Sequence, residues 1–255
     1  MDLSIPANRV PHILFLYWVI KIASTTLGET GADMFSMTYD IGYGNTILLF
    51  MGLFLLFLSL KLKLKRYEPT LYWLTFTATA IAGTAISDFI DRTLGLGYAW
   101  GSLLLVSLLG LILGVWYAKE KSIRVECITT TPSEIFYWSA FLIANTLGTA
   151  AGDFLADDIG MGFAQSALLI GMLLAGIVLL HYYTRVSKVL LFWLAFVLTR
   201  PFGATFGDLL TKTHDKGGLD LGTIGSSAFF AIILVFAVVK EISQERTLSC
   251  RINPK

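Results

Sequence analysis

Cysteine is almost missing: Cys127 and Cys250 are the two in 255 residues. Both are expected on the cytoplasmic side, where thiols stay reduced, so neither a disulfide framework nor a cysteine metal centre is indicated. Histidine is nearly as scarce. His12, His181 and His214 fall on separate segments without metal-ligand spacing, and no nucleophile motif or phosphate-binding glycine loop occurs, so no enzyme is expected. Charge is thin as well, with 15% charged residues, a net charge of +1 and no long basic run, which argues against nucleic acid as a partner. Short strands of alternating polarity are lacking, which excludes a transmembrane barrel.

What abounds is apolar. The chain is 55% hydrophobic with a mean hydropathy of +0.71, well outside soluble composition, and the lipid bilayer is the expected environment. Apolar stretches near the roughly 20 residues that a helix needs to cross a bilayer fall at 11–30, 45–62, 69–90, 99–118, 133–153, 163–183, 189–210 and 223–240. The expected fold is all-α, with eight transmembrane helices. The first stretch follows Arg9 much as a signal peptide would, but it carries the internal pattern of three later stretches and is kept as a structural unit.

Counting Lys and Arg by side gives the orientation. With the N-terminus inside, the inner segments hold fourteen basic residues, from Arg9 through Lys61, Lys119 and Arg185 to Lys255, and the outer loops hold only Arg92, Lys212 and Lys216. Both termini are expected to be cytoplasmic. Lys21 and Arg200 lie within spans.

Aligning on tryptophan exposes a repeat. Trp18, Trp73, Trp138 and Trp193 are each followed ten residues on by glycine (Gly28, Gly83, Gly148, Gly203) and fifteen residues on by aspartate (Asp33, Asp88, Asp153, Asp208). The tryptophan spacings of 55, 65 and 55 residues suggest a two-span unit doubled and doubled again, with halves at 1–125 and 126–255. Each unit has two spans, so the four share one orientation and are expected to be related by pseudo-rotation about the membrane normal rather than by inversion. On these residues the chain resembles a family of bacterial inner-membrane proteins built from four tandem copies of a domain of unknown function, each with two spans and a characteristic tryptophan. The resemblance implies this architecture and an inner-membrane setting and carries no activity. Repeat four departs from the pattern through an insertion around Thr213 to Asp220 and through Arg200-Pro201, which is expected to break or kink its first helix.

Four residues beyond each glycine stands another small residue, giving Gly28/Ala32, Gly83/Ser87, Gly148/Gly152 and Gly203/Gly207. Such pairs share a helix face and let backbones approach inside lipid, so the first helices of the four repeats are expected to touch. Each aspartate follows the second small residue, about 100° around the helix, which sets four carboxylates beside the seam at the outward ends of these helices. Like charges and the negative ends of the helix dipoles oppose ionisation of all four, and bound cations or protons relieve both. The aspartates are therefore candidate ligands for a hard divalent metal ion, as transported substrate rather than cofactor.

A polar face carrying Thr25, Glu29, Thr84, Asn145, Thr149 and Arg200 runs inward from them. Lys21 is expected to pair with Glu29 or Asp33 or to snorkel, and Arg200 to pair with one of the four aspartates. The tryptophans read as interfacial anchors. Pro11 and Pro69 mark helix starts, and Thr131-Pro132-Ser133-Glu134 reads as a capping box with Thr131 as N-cap. The function expected is transport of a cation at the aspartates, a hard divalent metal ion, a proton-coupled process, or both. The alternatives are transport of a small anion held by Lys21 and Arg200, and a membrane scaffold or sensor that transports nothing. Oligomerisation is left open.

Overall fold

In the computed structural model, residues 9–125 and 128–252 are described, those from 245 onward as helix backbone alone. The expectations about Cys127 and the side chain of Cys250 lie outside the described residues, as does the siding of Arg246, Arg251 and Lys255. Eight long helices follow one another: α1 (Phe15–Asp33), α2 (Gly42–Leu64), α3 (Pro69–Asp88), α4 (Tyr98–Glu120), α5 (Thr131–Asp153), α6 (Gly162–Tyr183), α7 (Lys188–Thr211) and α8 (Thr223–Ile252). Six of them, α2, α3, α4, α6, α7 and α8, are long and apolar enough to cross a membrane. The other two, α1 and α5, carry Lys21, Glu29 and Asp33 and Glu134, Asn145 and Asp153, which dilute their apolar character.

The ends of the helices have local causes. Glu68 accepts hydrogen bonds from the Thr70 and Leu71 amides ahead of α3, whose first residue is Pro69, where the missing N–H costs nothing. Thr130, one residue earlier than expected, caps α5 by accepting from the Ser133 amide at 3.3 Å. Glu134 does not complete a capping box and is engaged elsewhere. Pro11 does not begin a helix; α1 starts four residues later at Phe15. At the other end, Lys65 and Lys121 take left-handed conformations that stop α2 and α4. Pro201 does not break its helix, since α7 runs from Lys188 through Thr211.

The first helices of the repeats, α1, α3, α5 and α7, form a closed inner ring in which each packs on the next and α7 returns to α1. Each second helix leaves its own repeat and packs on the following one: α2 on α3, α4 on α5, α6 on α7, and α8 back on α1. Within a repeat, α7 and α8 meet only lightly, and the two helices of the other repeats less still. The repeat is thus a unit of sequence but not a self-packed hairpin. Only 17% of the apolar stretch of α2 is buried, against 72% for α3, which leaves the leucine-rich faces of the second helices for lipid.

The tryptophan ends of the inner helices close in an aromatic core of Tyr17, Tyr72, Trp73, Phe76, Tyr137, Trp138, Phe141, Trp193 and Phe196. For Trp73, Trp138 and Trp193 this corrects the reading as interfacial anchors, whereas Trp18 stays partly exposed. Trp73 and Trp138 are buried among other rings, Trp73 donates its indole N–H to Glu241 of α8 at 2.6 Å, and Trp193 donates to the Ile123 carbonyl at 3.1 Å.

Candidate functional site on the inner-ring axis

The glycine ten residues after each tryptophan is where neighbouring backbones come closest. A Cβ on Gly28 would lie 2.6 Å from Ala80 Cβ, on Gly83 2.9 Å from Asn145 Cβ, on Gly148 2.4 Å from Arg200 Cβ, and on Gly203 2.9 Å from Thr25 Cβ. The partner is in every case the residue seven beyond the next repeat's tryptophan, so one contact recurs around the ring. One turn outward, Gly152 meets Ala204 and Thr205, and Gly207 meets Glu29 and Thr30. These approaches aim side chains seven and eleven residues past each tryptophan at a common axis.

Arg200 occupies that axis. It is fully buried and reaches all three other inner helices. Its Nη1 donates to the Thr25 carbonyl at 3.1 Å and to Glu29 Oε2 at 3.3 Å on α1. Its Nη2 donates to the Ala80 carbonyl at 3.3 Å and to the Thr84 hydroxyl on α3, and to the Thr149 hydroxyl on α5 at 3.0 Å. Glu29 in turn accepts from Thr84 and Thr149, each at 3.2 Å. Asn145 donates to Thr79 at 3.1 Å nearby and does not touch this ion pair. The expectation that Arg200 pairs with one of the four aspartates is corrected: Glu29, eleven residues past Trp18, stands level with the threonines that Arg200 already engages.

The four aspartates are gathered at the other end of the inner ring, each no more than 2% exposed. Among the described residues no three His, Cys, Asp or Glu are grouped as a metal-ligand set. Two basic side chains divide the four aspartates. Arg92 lies 3.4 Å from Asp88 and 3.1 Å from Asp153, and it also donates to the hydroxyls of Tyr98 at 3.0 Å and Tyr43 at 3.3 Å. Lys212 lies 2.6 Å from Asp33 and 3.1 Å from Asp208. Burial works against the charge of Lys212, but the two carboxylates outweigh it and hold its pKa above the ordinary lysine range. Neither Arg92 nor Lys212 was singled out from sequence, although each stands four residues after an aspartate, the spacing of a helical ion pair.

Three of the aspartates are the last α-helical residues before a single π-turn, at Met34–Thr38, Phe89–Thr93 and Phe154–Asp158. Such wide turns are frequent at functional positions. In repeat four the insertion replaces the π-turn, and the loop folds back so that the Leu219 and Leu221 amides donate to the Leu209 and Leu210 carbonyls at 2.7 and 2.9 Å.

Lys21 sits one turn nearer the tryptophan end than Arg200, and it pairs with neither Glu29 nor Asp33 nor snorkels. It is fully buried, and its ammonium faces the rings of Phe76, Phe141 and Phe196, with centroids at 5.1, 5.0 and 3.4 Å. Lys21 and these three phenylalanines occupy the same place, three residues after each tryptophan. A second buried ion cluster, unforeseen from sequence, ties the tryptophan end. Glu134 accepts from Arg9 at 3.0 Å and Lys61 at 2.6 Å, Lys61 also donates to the Arg9 carbonyl at 2.6 Å, and Arg9 donates to Thr131 at 3.0 Å.

No curated protein and no solved structure matches the chain. A family model described as Repeat of Unknown Function (DUF347) matches it four times, at residues 16–67, 71–122, 136–187 and 191–247. Every match begins two residues before one of the four tryptophans that open the recurring Trp, Gly and Asp pattern, and together they cover most of the chain, which therefore belongs to this family of tandem repeats.

Proposed function

We propose that the protein is an integral membrane transporter that takes up protons, exchanged for a small cation, at two carboxylate pairs on the axis of its inner ring. All eight helices cross the bilayer in this reading, including α1 and α5, whose polar residues are shielded by their neighbours. The four repeats follow a pseudo-fourfold axis along the membrane normal. The excess of basic residues beside the tryptophan ends of the helices puts those ends and both termini in the bacterial cytoplasm, so the aspartates open to the outside.

One observation carries the reading: Asp33 with Asp208, and Asp88 with Asp153, share a single basic side chain per pair. Two buried carboxylates facing one cation leave one negative charge uncompensated. Within a membrane such a charge is too costly to persist bare, and a proton or a monovalent cation relieves it. The reading does not need metal coordination, and each pair accepts one unit of positive charge. Arg200 gives little support to anion transport, because the donors at both of its terminal nitrogens are taken up by protein acceptors.

The test is reconstitution in liposomes with a trapped pH indicator. Na⁺, K⁺ or Mg²⁺ added against an imposed proton gradient is expected to release protons through the wild type. Flux is expected to fall at least about tenfold, or 1.4 kcal/mol of barrier, when Asp33→Asn and Asp208→Asn are combined. Absence of cation-dependent proton movement in the wild type, across all three ions, would remove transport and leave the scaffold reading.

A further inference from the structure

Lys21 has no acceptor for any of its ammonium hydrogens and no carboxylate within ion-pair distance. Phe76 of α3, Phe141 of α5 and Phe196 of α7 wall it in, and the buried Arg200 guanidinium lies one turn toward the aspartates, where its Nε–H also lacks a partner. One turn toward the tryptophan end come the phenols Tyr17, Tyr72 and Tyr137, of which Tyr72 and Tyr137 bond each other at 2.6 Å. The aromatic faces stabilise a cation electrostatically while offering it nothing to which a proton can be passed. A direct proton relay needs a partner within roughly 3.2 Å, and the Lys21 ammonium has no acceptor at that distance.

We infer that Lys21, held in the cage of Phe76, Phe141 and Phe196, is a charge seal that keeps protons and small cations at the aspartate end from leaking along the axis to the tryptophan end. Arg200 is balanced by Glu29, whereas Lys21 faces no carboxylate, so Lys21 places a net positive charge in a low-dielectric column, the arrangement by which membrane pores exclude cations. Lys21 acts here as a selectivity residue and carries nothing itself. The three phenylalanine faces hold the ammonium by cation–π attraction, which offsets the desolvation that burial imposes on it. The inference rests on the inner-ring axis being the path of the reading above.

The measurement is passive proton permeability of proteoliposomes with no exchanging cation present, using wild type, Lys21→Met, Lys21→Arg and Lys21→Ala, with the thermal midpoint of each in detergent as the control for folding. Lys21→Met fills nearly the same volume without charge and fits an apolar cage, so it is expected to stay folded and to leak on the order of tenfold more than wild type. Lys21→Arg, which keeps the charge, is expected to stay tight. A tight Lys21→Met beside a leaking Lys21→Ala would overturn the inference, because the seal would then be a matter of volume. So would reduced proton movement in Lys21→Met, the result a relay gives. Because no exchange is measured, a failed seal leaves cation-driven flux and its loss in the Asp33→Asn, Asp208→Asn variant to be judged separately.

Discussion

Arg200 is bonded to three helices other than its own, and that makes it the residue whose removal is felt most widely. Replacing it with methionine leaves Glu29 buried without its cation, which is expected to cost about 3–5 kcal/mol in unfolding free energy. Adding Glu29→Gln should return a large part of that loss, since the stranded charge goes with it. Urea or thermal denaturation of the two single variants and the double variant reads the coupling directly. If the double variant is as unstable as the sum of the singles, the pair is not coupled.

Glycine makes a sharper local case. A Cβ at Gly148 would fall 2.2 Å from Arg200 Cγ and 3.0 Å from Pro201 Cδ, whereas one at Gly110 or Gly176 meets nothing within 4 Å. Gly148→Ala is therefore expected to destabilise by about 1–3 kcal/mol through forced separation of α5 and α7. Gly110→Ala and Gly176→Ala, on lipid-facing helices, should be neutral or slightly stabilising by thermal denaturation in detergent. The glycine positions were legible in sequence because a helix repeats its faces with a fixed period. The partner of Lys21 was not, because a charged side chain was assumed to seek opposite charge, and only the closed ring brings three phenylalanines from distant repeats around it.

At the level of elements, the same aspartate ends three different helices and opens three π-turns, so the carboxylate and the wide turn arise together. Repeat four lacks the turn and has Lys212 at the end of α7, where repeat two has Arg92 inside its π-turn. The two counter-ions differ in kind. Arg92 is fixed by two carboxylates and two phenol hydroxyls, while the flexible Lys212 is held by carboxylates alone. Lys212→Gln is expected to leave the helices intact by circular dichroism but to lower the thermal midpoint, and Asp33→Asn added to it should restore most of the difference. No recovery would mean that the two carboxylates do not oppose each other. The lengths of α1 to α7 were readable to within about five residues from apolar run length, while α8 runs on past its apolar stretch at 223–240 to Ile252, and the i, i+4 spacing of Asp88 with Arg92 and Asp208 with Lys212 was visible too. What one helix does not reveal is that each of these basic groups also reaches an aspartate of the next repeat.

For the molecule as a whole, the handing-on of each second helix to the next repeat means that no repeat can bury its own first helix. The main interfaces between residues 1–125 and 126–255 are α3 with α5, α4 with α5, α1 with α7 and α1 with α8, with a smaller one between α3 and α8. Four extended contacts join the halves, as many as lie within them, and the Arg9, Lys61 and Glu134 cluster adds a buried ionic tie across the boundary. Sequence showed the fourfold repetition but not this interlocking, because repetition says which residues are equivalent and not which copy covers which. Two half-chains expressed together, one carrying an affinity tag, are therefore expected to co-purify from membranes as one stable unit, while either half alone leaves polar residues of α1 and α5 facing lipid and should be degraded or aggregate. Glu134→Ala in the second half strands the Arg9 and Lys61 cations and should reduce recovery of the untagged half severalfold. Accumulation of each half alone as a monodisperse, protease-resistant species would show that the halves pack independently, and the ring would then have to be a docking of two finished domains rather than a single interlocked fold.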